Sequence, residues 1–211
     1  MKNIQELFDA YLKTKPSAEK IRSATSMMIH IGKALDVANQ EEINSDYFPE
    51  VVRVLDEFFH NSPQKATLDK AILAEMIGRI GPKPGISVIL ENLLADEDEN
   101  VRQYTLQSLE YYGKKSPRTV FKYLEKYRKS NDSIMISAAA ALAAKVFNSA
   151  EYEFVLTRLE HWCAEGDLSF MEEVLTRIKR TYSQGNSDEY MPQSEFKSWI
   201  SKNCKHFAKF V

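Results

Sequence analysis

Apolar residues recur at spacings of three and four along nearly all of this 211-residue chain. Such spacing puts apolar side chains on one face of a helix, whereas a half-buried strand needs strict alternation, which is scarce here. The pattern therefore predicts an all-α protein. The predicted helical stripes cover residues 4–12, 21–35, 51–59, 68–80, 86–94, 101–112, 120–127, 134–147, 152–162, 168–182 and 194–210.

The breaks between stripes carry residues typical of helix ends. Asp98 and the pair Asn131-Asp132 precede stripes, where short polar side chains can accept hydrogen bonds from the free N–H groups of a first turn. Gly81 and Gly113 stand where helices are expected to end, because glycine readily adopts the left-handed C-cap conformation. No proline interrupts a stripe.

The stripes pair into helical hairpins that repeat along the chain. The approximate units are 3–38, 47–81, 84–113, 117–148 and 151–184, followed by a last helix within 194–211. The third and fourth units align at an offset of about 33 residues, which places Asp98 on Asn131 and Val101 on Ile134. A period of this length with two helices per unit is typical of an α-solenoid.

The stretch 90–113 resembles the HEAT-repeat family: an apolar first helix, an Asp-rich turn, then Val101-Arg102 opening the second helix. The resemblance implies one domain over 1–211, a right-handed α-solenoid of about five HEAT-like hairpins with a C-terminal capping helix at 194–211. It also implies a structural role for Asp98 and Arg102, since the turn aspartate and this arginine commonly form a ladder between HEAT repeats. The fourth unit departs from the pattern, with Met135 in place of the arginine.

Segment 3–46 admits two interpretations. With Leu7-Phe8, Tyr11-Leu12 and Arg22 before an apolar helix, it is similar to the helical core-binding domain of tyrosine recombinases. It also fits a terminal capping repeat, whose outer face meets water. No recombinase catalytic region follows it in the sequence.

The bulk composition narrows the class of protein. A formal net charge of -2 with 44% hydrophobic residues gives a soluble chain without overall attraction for nucleic acid or anionic membranes. No apolar run is long enough to span a bilayer, and the first residues lack a signal-peptide pattern. We therefore expect a cytoplasmic protein without a membrane partner. Cys163 and Cys204, in apolar helical contexts, are expected to be reduced core residues.

Motifs for catalysis, metal binding and cofactor binding are absent from the sequence. The four histidines are far apart, and no phosphate-binding loop or nucleophile elbow occurs. We expect no catalytic residues, no metal ligands and no cofactor, so binding is favoured over catalysis.

In the HEAT architecture the second helices line the concave face, which commonly binds a macromolecular partner. We therefore predict a protein or peptide partner there, a protein scaffold being the favoured function. A structural subunit that assembles with a homologous partner is another interpretation of the same helices. The predicted partner-binding residues are Glu75, Arg79, Gln103, Gln107, Glu110, Tyr111, Ile136 and Ala140.

A basic run suggests an alternative, nucleic-acid partner. Its candidate phosphate-binding residues are Lys114, Lys115, Arg118, Lys122, Lys126 and Lys129, and Arg128 falls within the same span. A solvated outer face explains the same charges. The alternative function is a DNA-binding protein, or an enzyme similar to the HEAT-like alkylpurine DNA glycosylases, which grip DNA in a basic groove. The catalytic residues of those enzymes have no counterparts that we can place in this sequence.

Overall fold

The computed structural model describes residues 67–80, 86–149, 151–183, 191–205 and 207. Predicted unit 3–38, the first helix of unit 47–81, Gly81 and the end of segment 194–211 lie outside these residues. Within the described part the protein is all-α and has no strand. The helices are α1 (Thr67–Ile80), α2 (Ile86–Leu94), α3 (Glu99–Ser108), α4 (Glu110–Gly113), α5 (Pro117–Arg128), α6 (Ser133–Phe147), α7 (Tyr152–Glu165), α8 (Leu168–Ser183) and α9 (Gln193–Asn203). None of them is long and apolar enough to cross a membrane.

Helices α1, α3, α6 and α8 pack each against the next in chain order. Helices α2, α5 and α7 precede α3, α6 and α8 in sequence, and each packs against the helix that it precedes. The helix α6 is central, because it contacts α3, α4, α5, α7 and α8. Each predicted hairpin within 84–184 therefore corresponds to helices in contact.

The alanines of α6 allow its neighbours to approach closely. Ala138, Ala139, Ala140 and Ala143 are fully buried. A side chain that ends at Cβ lets helix backbones come together, and the closer contact gains dispersion energy. The prediction that Ala140 is a partner-binding residue is therefore wrong, because this side chain is fully buried. Ile136, which was predicted for the same surface, is only partly buried.

Gly113 is also a point of close approach. It ends α4, as predicted, but Gly166 is the residue with a left-handed conformation in the described part of the chain, at φ 80°. A Cβ on Gly113 would lie 2.7 Å from Val146 Cγ2 on α6. The glycine is required by the packing of α4 on α6 and not by a left-handed helix end.

The N-caps show that the repeat offset between the third and fourth units is one residue longer than predicted. The side chain of Asp98 accepts a hydrogen bond from Asn100 N, and that of Asp132 accepts from Ile134 N. Three positions after each cap, Val101 and Met135 are both buried. Asp98 therefore corresponds to Asp132 and not to Asn131, and Val101 corresponds to Met135 and not to Ile134.

Arg102 joins these two units. Its Nη1 donates to the backbone oxygens of Asp96 and Glu97, at 2.8 and 3.0 Å, and its Nη2 donates to Asp132 Oδ2 at 2.9 Å. The hydrogen bond from Arg102 lowers the pKa of Asp132. Asp98 caps α3 and Arg102 ties the turn of one unit to that of the next, so both side chains contribute to the structure.

Aromatic rings fill the space between α5, α7 and α8. The ring centroid of Phe121 lies 5.1 Å from that of Phe154 and 5.4 Å from that of Trp162. Trp162 meets Phe170 of α8 edge to face, at 5.3 Å. Offset and edge-to-face pairs of this kind add to the hydrophobic gain from burial.

The helix α9 packs against the ends of α6 and α8. The ring of Phe196 lies 4.9 Å from Phe147 and 5.5 Å from Tyr182, between centroids. The helix ends at Asn203, earlier than the predicted stripe. The cysteines differ from the expectation: Cys163 of α7 and Cys204 form a disulfide, with Cα atoms 5.8 Å apart. The prediction that both thiols are free is wrong, because the fold brings together two residues far apart in sequence.

Candidate functional site

The predicted basic run does not form a single cationic surface. Three of its six side chains pair with carboxylates of neighbouring segments: Arg118 with Glu151 at 2.6 Å, Lys126 with Glu91 at 3.3 Å, and Lys129 with Glu165 at 3.6 Å. Lys122 Nζ lies 4.5 Å from the ring centroid of Tyr123 on α5 itself. Lys114 and Lys115 are exposed beyond the end of α4. Much of the charge on α5 is thus balanced within the protein.

Arg128 lies inside the protein, although the nearby Lys126 and Lys129 are exposed. Only 1% of its side chain is exposed, and it pairs with Glu125 at 2.8 Å, Glu165 at 2.5 Å and Asp167 at 3.2 Å. Trp162 Nε1 donates to the other oxygen of Glu125 at 2.7 Å. Burial opposes the charge on Arg128, but hydrogen bonds to Glu125 and Glu165 outweigh it and raise the pKa of Arg128.

The predicted partner-binding residues occupy different environments. Glu75, Gln103, Gln107 and Glu110 are partly exposed, and Tyr111 is exposed. Ile136 is partly buried and Ala140 is covered, as described above. The side chain of Arg79 lies outside the described set. Most of the predicted concave residues in the described part are therefore accessible.

Tyr104 belongs with this surface but is absent from the prediction. Its side chain is 42% exposed, compared with 36% for Tyr111, and its hydroxyl donates to Glu75 Oε2 at 2.9 Å. Tyr104 lies on α3 and Tyr111 lies seven positions later on α4, with Leu109 between the two helices. In the sequence, a spacing of seven within one predicted stripe is the signal that would have grouped the two rings.

A cleft opens where α4, α6 and α8 meet, and we call it the basic cleft. Its volume is about 330 Å³. Four of its lining residues are cations: Lys114 directly follows α4, Lys145 lies on α6, and Arg177 and Arg180 lie on α8. The lining residues are Lys114, Ala141, Ala144, Lys145, Asn148, Arg177, Arg180 and Thr181.

The shape of the basic cleft follows from the residues of α6. Ala141 and Ala144 provide part of its lining, and short side chains there leave the surface of α6 recessed between its neighbours. Lys114 lies at the end of α4, Arg177 and Arg180 lie on α8, and both helices contact α6. The same alanine-rich helix thus gives both close packing and the space for the cleft.

Two of the four cations have carboxylate partners. Lys145 Nζ lies 3.7 Å from Glu110 Oε2, and Arg177 Nη2 lies 2.6 Å from Glu173 Oε1. Ser137 Oγ donates to the same oxygen of Glu173 at 2.6 Å. Partial burial alone would raise the pKa of Glu173, but the hydrogen bonds from Ser137 and Arg177 have the larger combined effect. The pKa of Glu173 is therefore lowered, and this carboxylate stays ionised.

The other two cations, Lys114 and Arg180, have no carboxylate partner within the part of the chain that the structure describes. Both side chains are exposed. Each can therefore bind an external anion without first losing an ion pair to a described carboxylate, which favours these two cations of the basic cleft as ligand contacts.

The predicted basic run contains Lys114 but not the other three cleft cations, Lys145, Arg177 and Arg180. Their spacing is the sequence signal that could have grouped the cleft cations, because Lys114, Lys145 and Arg177 are separated by about the length of one repeat. In a stack of repeats, that spacing brings side chains of neighbouring units to one side.

Within the described residues, no group of His, Cys, Asp or Glu side chains is placed to hold a metal ion. The chain matches no protein-family model, no curated protein and no solved structure. The HEAT resemblance therefore stays a prediction. The site is defined by its own geometry, a cationic cleft lined by residues of α6 and α8 and by Lys114.

Proposed function

We propose that this chain is a non-catalytic α-solenoid of HEAT-like hairpins that binds an anionic segment of a macromolecular partner in the basic cleft. The ordered packing of α1, α3, α6 and α8 supports the solenoid, because second helices stack in this way in repeat proteins. The bridge from Arg102 to Asp132, between the turns of neighbouring units, supports it as well.

The observation that carries the proposal is the basic cleft itself. Four cationic side chains converge there, and two of them have no internal carboxylate partner among the described residues. Guanidinium groups make forked hydrogen bonds to carboxylate and phosphate oxygens, and lysines add point charges. An anionic group that enters the cleft therefore meets donors that the fold already holds in place.

The chemistry of the lining favours binding over catalysis. The lining side chains are cations, an amide, a hydroxyl and two alanines. The nearest carboxylates, Glu110 and Glu173, are each paired with a cation. Such a set neutralises charge and orients an anion, whereas general acid–base catalysis needs a titrating group free to exchange a proton.

The proposal is tested with a labelled heparin oligosaccharide, a dense polyanion that favours no class of partner. We expect the native chain to bind it, as measured by fluorescence anisotropy at low salt. The double variant Lys114→Glu, Arg180→Glu should bind at least about tenfold more weakly, since exposed charge pairs contribute up to about 1 kcal/mol each and reversal adds repulsion.

The matched control is Lys122→Glu with Lys202→Glu, which changes the net charge equally at exposed sites on α5 and α9. We expect it to retain most of the affinity. If both double variants lose the same affinity for heparin, then binding depends on net charge, and the assignment of the binding site to the basic cleft is overturned. Absence of binding by the native chain would remove the proposed function.

A further inference from the structure

We infer that the partner of the basic cleft is a short acidic segment of a protein, with an apolar or aromatic residue that packs against Tyr104 and Tyr111. This inference rests on the proposed function and assigns the class of partner. It takes a protein, and not a nucleic acid, as the source of the anionic groups.

The charges around the cleft alternate in sign, which disfavours a nucleic acid. Glu110 and Glu173 lie within ion-pair distance of Lys145 and Arg177. A DNA duplex carries one negative charge per about 1.7 Å of helix axis, so a backbone that follows the cations would also pass over these carboxylates. A peptide carries its charges at discrete positions and can leave the carboxylates uncovered.

The cations also cover too short a distance for a phosphate track. They come from α4, α6 and α8, and neighbouring helix axes lie about 8–10 Å apart, so the set extends over roughly 20 Å. Of the six cations in the predicted basic run, Lys114 alone lines the cleft. Three of the others are paired with carboxylates elsewhere, so the run does not extend the cationic surface.

That distance sets the length of the segment. An extended chain advances about 3.3–3.6 Å per residue, so roughly six residues cross from the end of α4 to α8. The two cations without described carboxylate partners, Lys114 and Arg180, can each accept one acidic side chain. A segment of about this length with two or three carboxylates fits the cleft.

The exposed tyrosines supply the second half of the surface. Tyr111 and Lys114 are three positions apart, so the aromatic surface leads directly to the first cation. Tyrosine rings give a large contact area at a small entropic cost and are enriched at protein interfaces. An aromatic or apolar residue next to the acidic stretch would therefore contribute affinity that charge alone does not provide.

The test compares four labelled probes by anisotropy at two salt concentrations. Three are hexapeptides: tryptophan followed by five glutamates (the aromatic acidic peptide), alanine followed by five glutamates (the plain acidic peptide), and tryptophan followed by five glutamines (the aromatic neutral peptide). The fourth is a DNA duplex of about 16 base pairs.

We expect the aromatic acidic peptide to bind at least about tenfold more tightly than the aromatic neutral peptide, because only the former offers carboxylates to the cleft cations. It should also bind severalfold more tightly than the plain acidic peptide, which lacks the ring. The duplex should bind more weakly than the aromatic acidic peptide when the two are compared at equal salt.

Variants of Tyr111 separate ring contact from a general structural effect. Tyr111→Ala should reduce the preference for the aromatic over the plain acidic peptide, and Tyr111→Phe should preserve it, because the ring remains. An unchanged preference in Tyr111→Ala would overturn the assignment of the aromatic contact to this residue.

Two further outcomes distinguish the inference from the proposed function. In the first, the duplex binds tightly, the double variant Lys114→Glu, Arg180→Glu abolishes that binding, and the aromatic acidic peptide binds no better than the aromatic neutral peptide. This result would overturn the acidic-segment inference and leave the basic cleft as a nucleic-acid site. Binding of neither peptide nor duplex nor heparin would remove the proposed function itself.

Discussion

Arg128 is a charged residue whose role is structural because its side chain is buried. It sits among exposed lysines in sequence, yet it follows the buried stripe of α5, four positions after Leu124 and seven after Phe121. A buried guanidinium is tolerated only when it is paired and hydrogen-bonded. Its position in the stripe was readable from the sequence, but its partners were not, because Glu165 and Asp167 come from the end of α7 and the turn before α8.

We predict that Arg128→Met lowers the free energy of unfolding by about 2–4 kcal/mol, since three carboxylates lose their common partner. The control is Arg118→Met, whose exposed pair with Glu151 should contribute less than about 1 kcal/mol. Urea denaturation at pH 7 measures both. Similar losses in the two variants would contradict the difference in burial on which the prediction depends.

The effect of Arg128 should also depend on pH. Its hydrogen bond lowers the pKa of Glu165 below the ordinary value of 4.5. A carboxyl whose pKa is lower in the folded state stabilises the fold above its unfolded pKa, and this contribution disappears as the pH falls through the folded pKa. The difference in unfolding free energy between native chain and Arg128→Met should therefore narrow from pH 7 to pH 3. A difference that stays constant over this range would contradict the linkage to Glu165.

The hydrophobic pattern predicts the existence and extent of α6 but not the position of its N-cap. The spacing of apolar residues predicted a helix over 134–147, and α6 covers Ser133–Phe147. The repeat alignment was one residue off, because it matched Asp98 to Asn131 by counting, whereas the N-cap hydrogen bonds select Asp132. Capping depends on backbone conformation, which a comparison of residue types does not report.

Replacement by leucine should affect stability differently at two neighbouring alanines of α6. Ala140→Leu adds volume to a fully buried site and should lower stability by about 1–3 kcal/mol or more. Ala141→Leu, in the lining of the basic cleft, should leave stability almost unchanged but weaken heparin binding. Thermal melting and anisotropy on both variants check this. Equal destabilisation by the two substitutions would contradict the observed burial.

The disulfide joins α7 to the end of α9, and no sequence argument predicted it. Cys163 and Cys204 are 41 positions apart, and the geometry of a disulfide depends on Cα distance, which sequence spacing does not report. Closure of a loop of this length stabilises a fold by about 2–4 kcal/mol. We predict a lower melting temperature after reduction and in Cys204→Ser. Thiol titration should find no reactive thiol before reduction and two after it.

At the scale of the molecule, the candidate site spans units that the sequence presents separately. Lys114, Lys145 and Arg177 belong to three successive hairpins, so each looks ordinary in its own stretch. The formal net charge of -2 conceals the local excess of cations. Local periodicity predicts the helices and their pairing. A surface assembled from several units depends on the register between those units, and the predicted offset between the third and fourth units was wrong by one residue.

In the proposed α-solenoid, the last unit needs a terminal element that covers its apolar face. The helix α9 is placed to serve as that element, because Phe196 packs against Phe147 and Tyr182. Deletion of residues 194–211 should therefore expose these rings and cause aggregation or loss of cooperative melting, as measured by light scattering and calorimetry.

The deletion also removes Cys204, so Cys204→Ser is its necessary control. That variant loses the disulfide but keeps the aromatic contacts, and we expect it to melt cooperatively at a lower temperature. If the truncated chain melts in the same way as Cys204→Ser, then α9 acts through the covalent link alone. If it aggregates where Cys204→Ser does not, the buried apolar side chains of 194–211, with Phe196 among them, protect the rest of the fold.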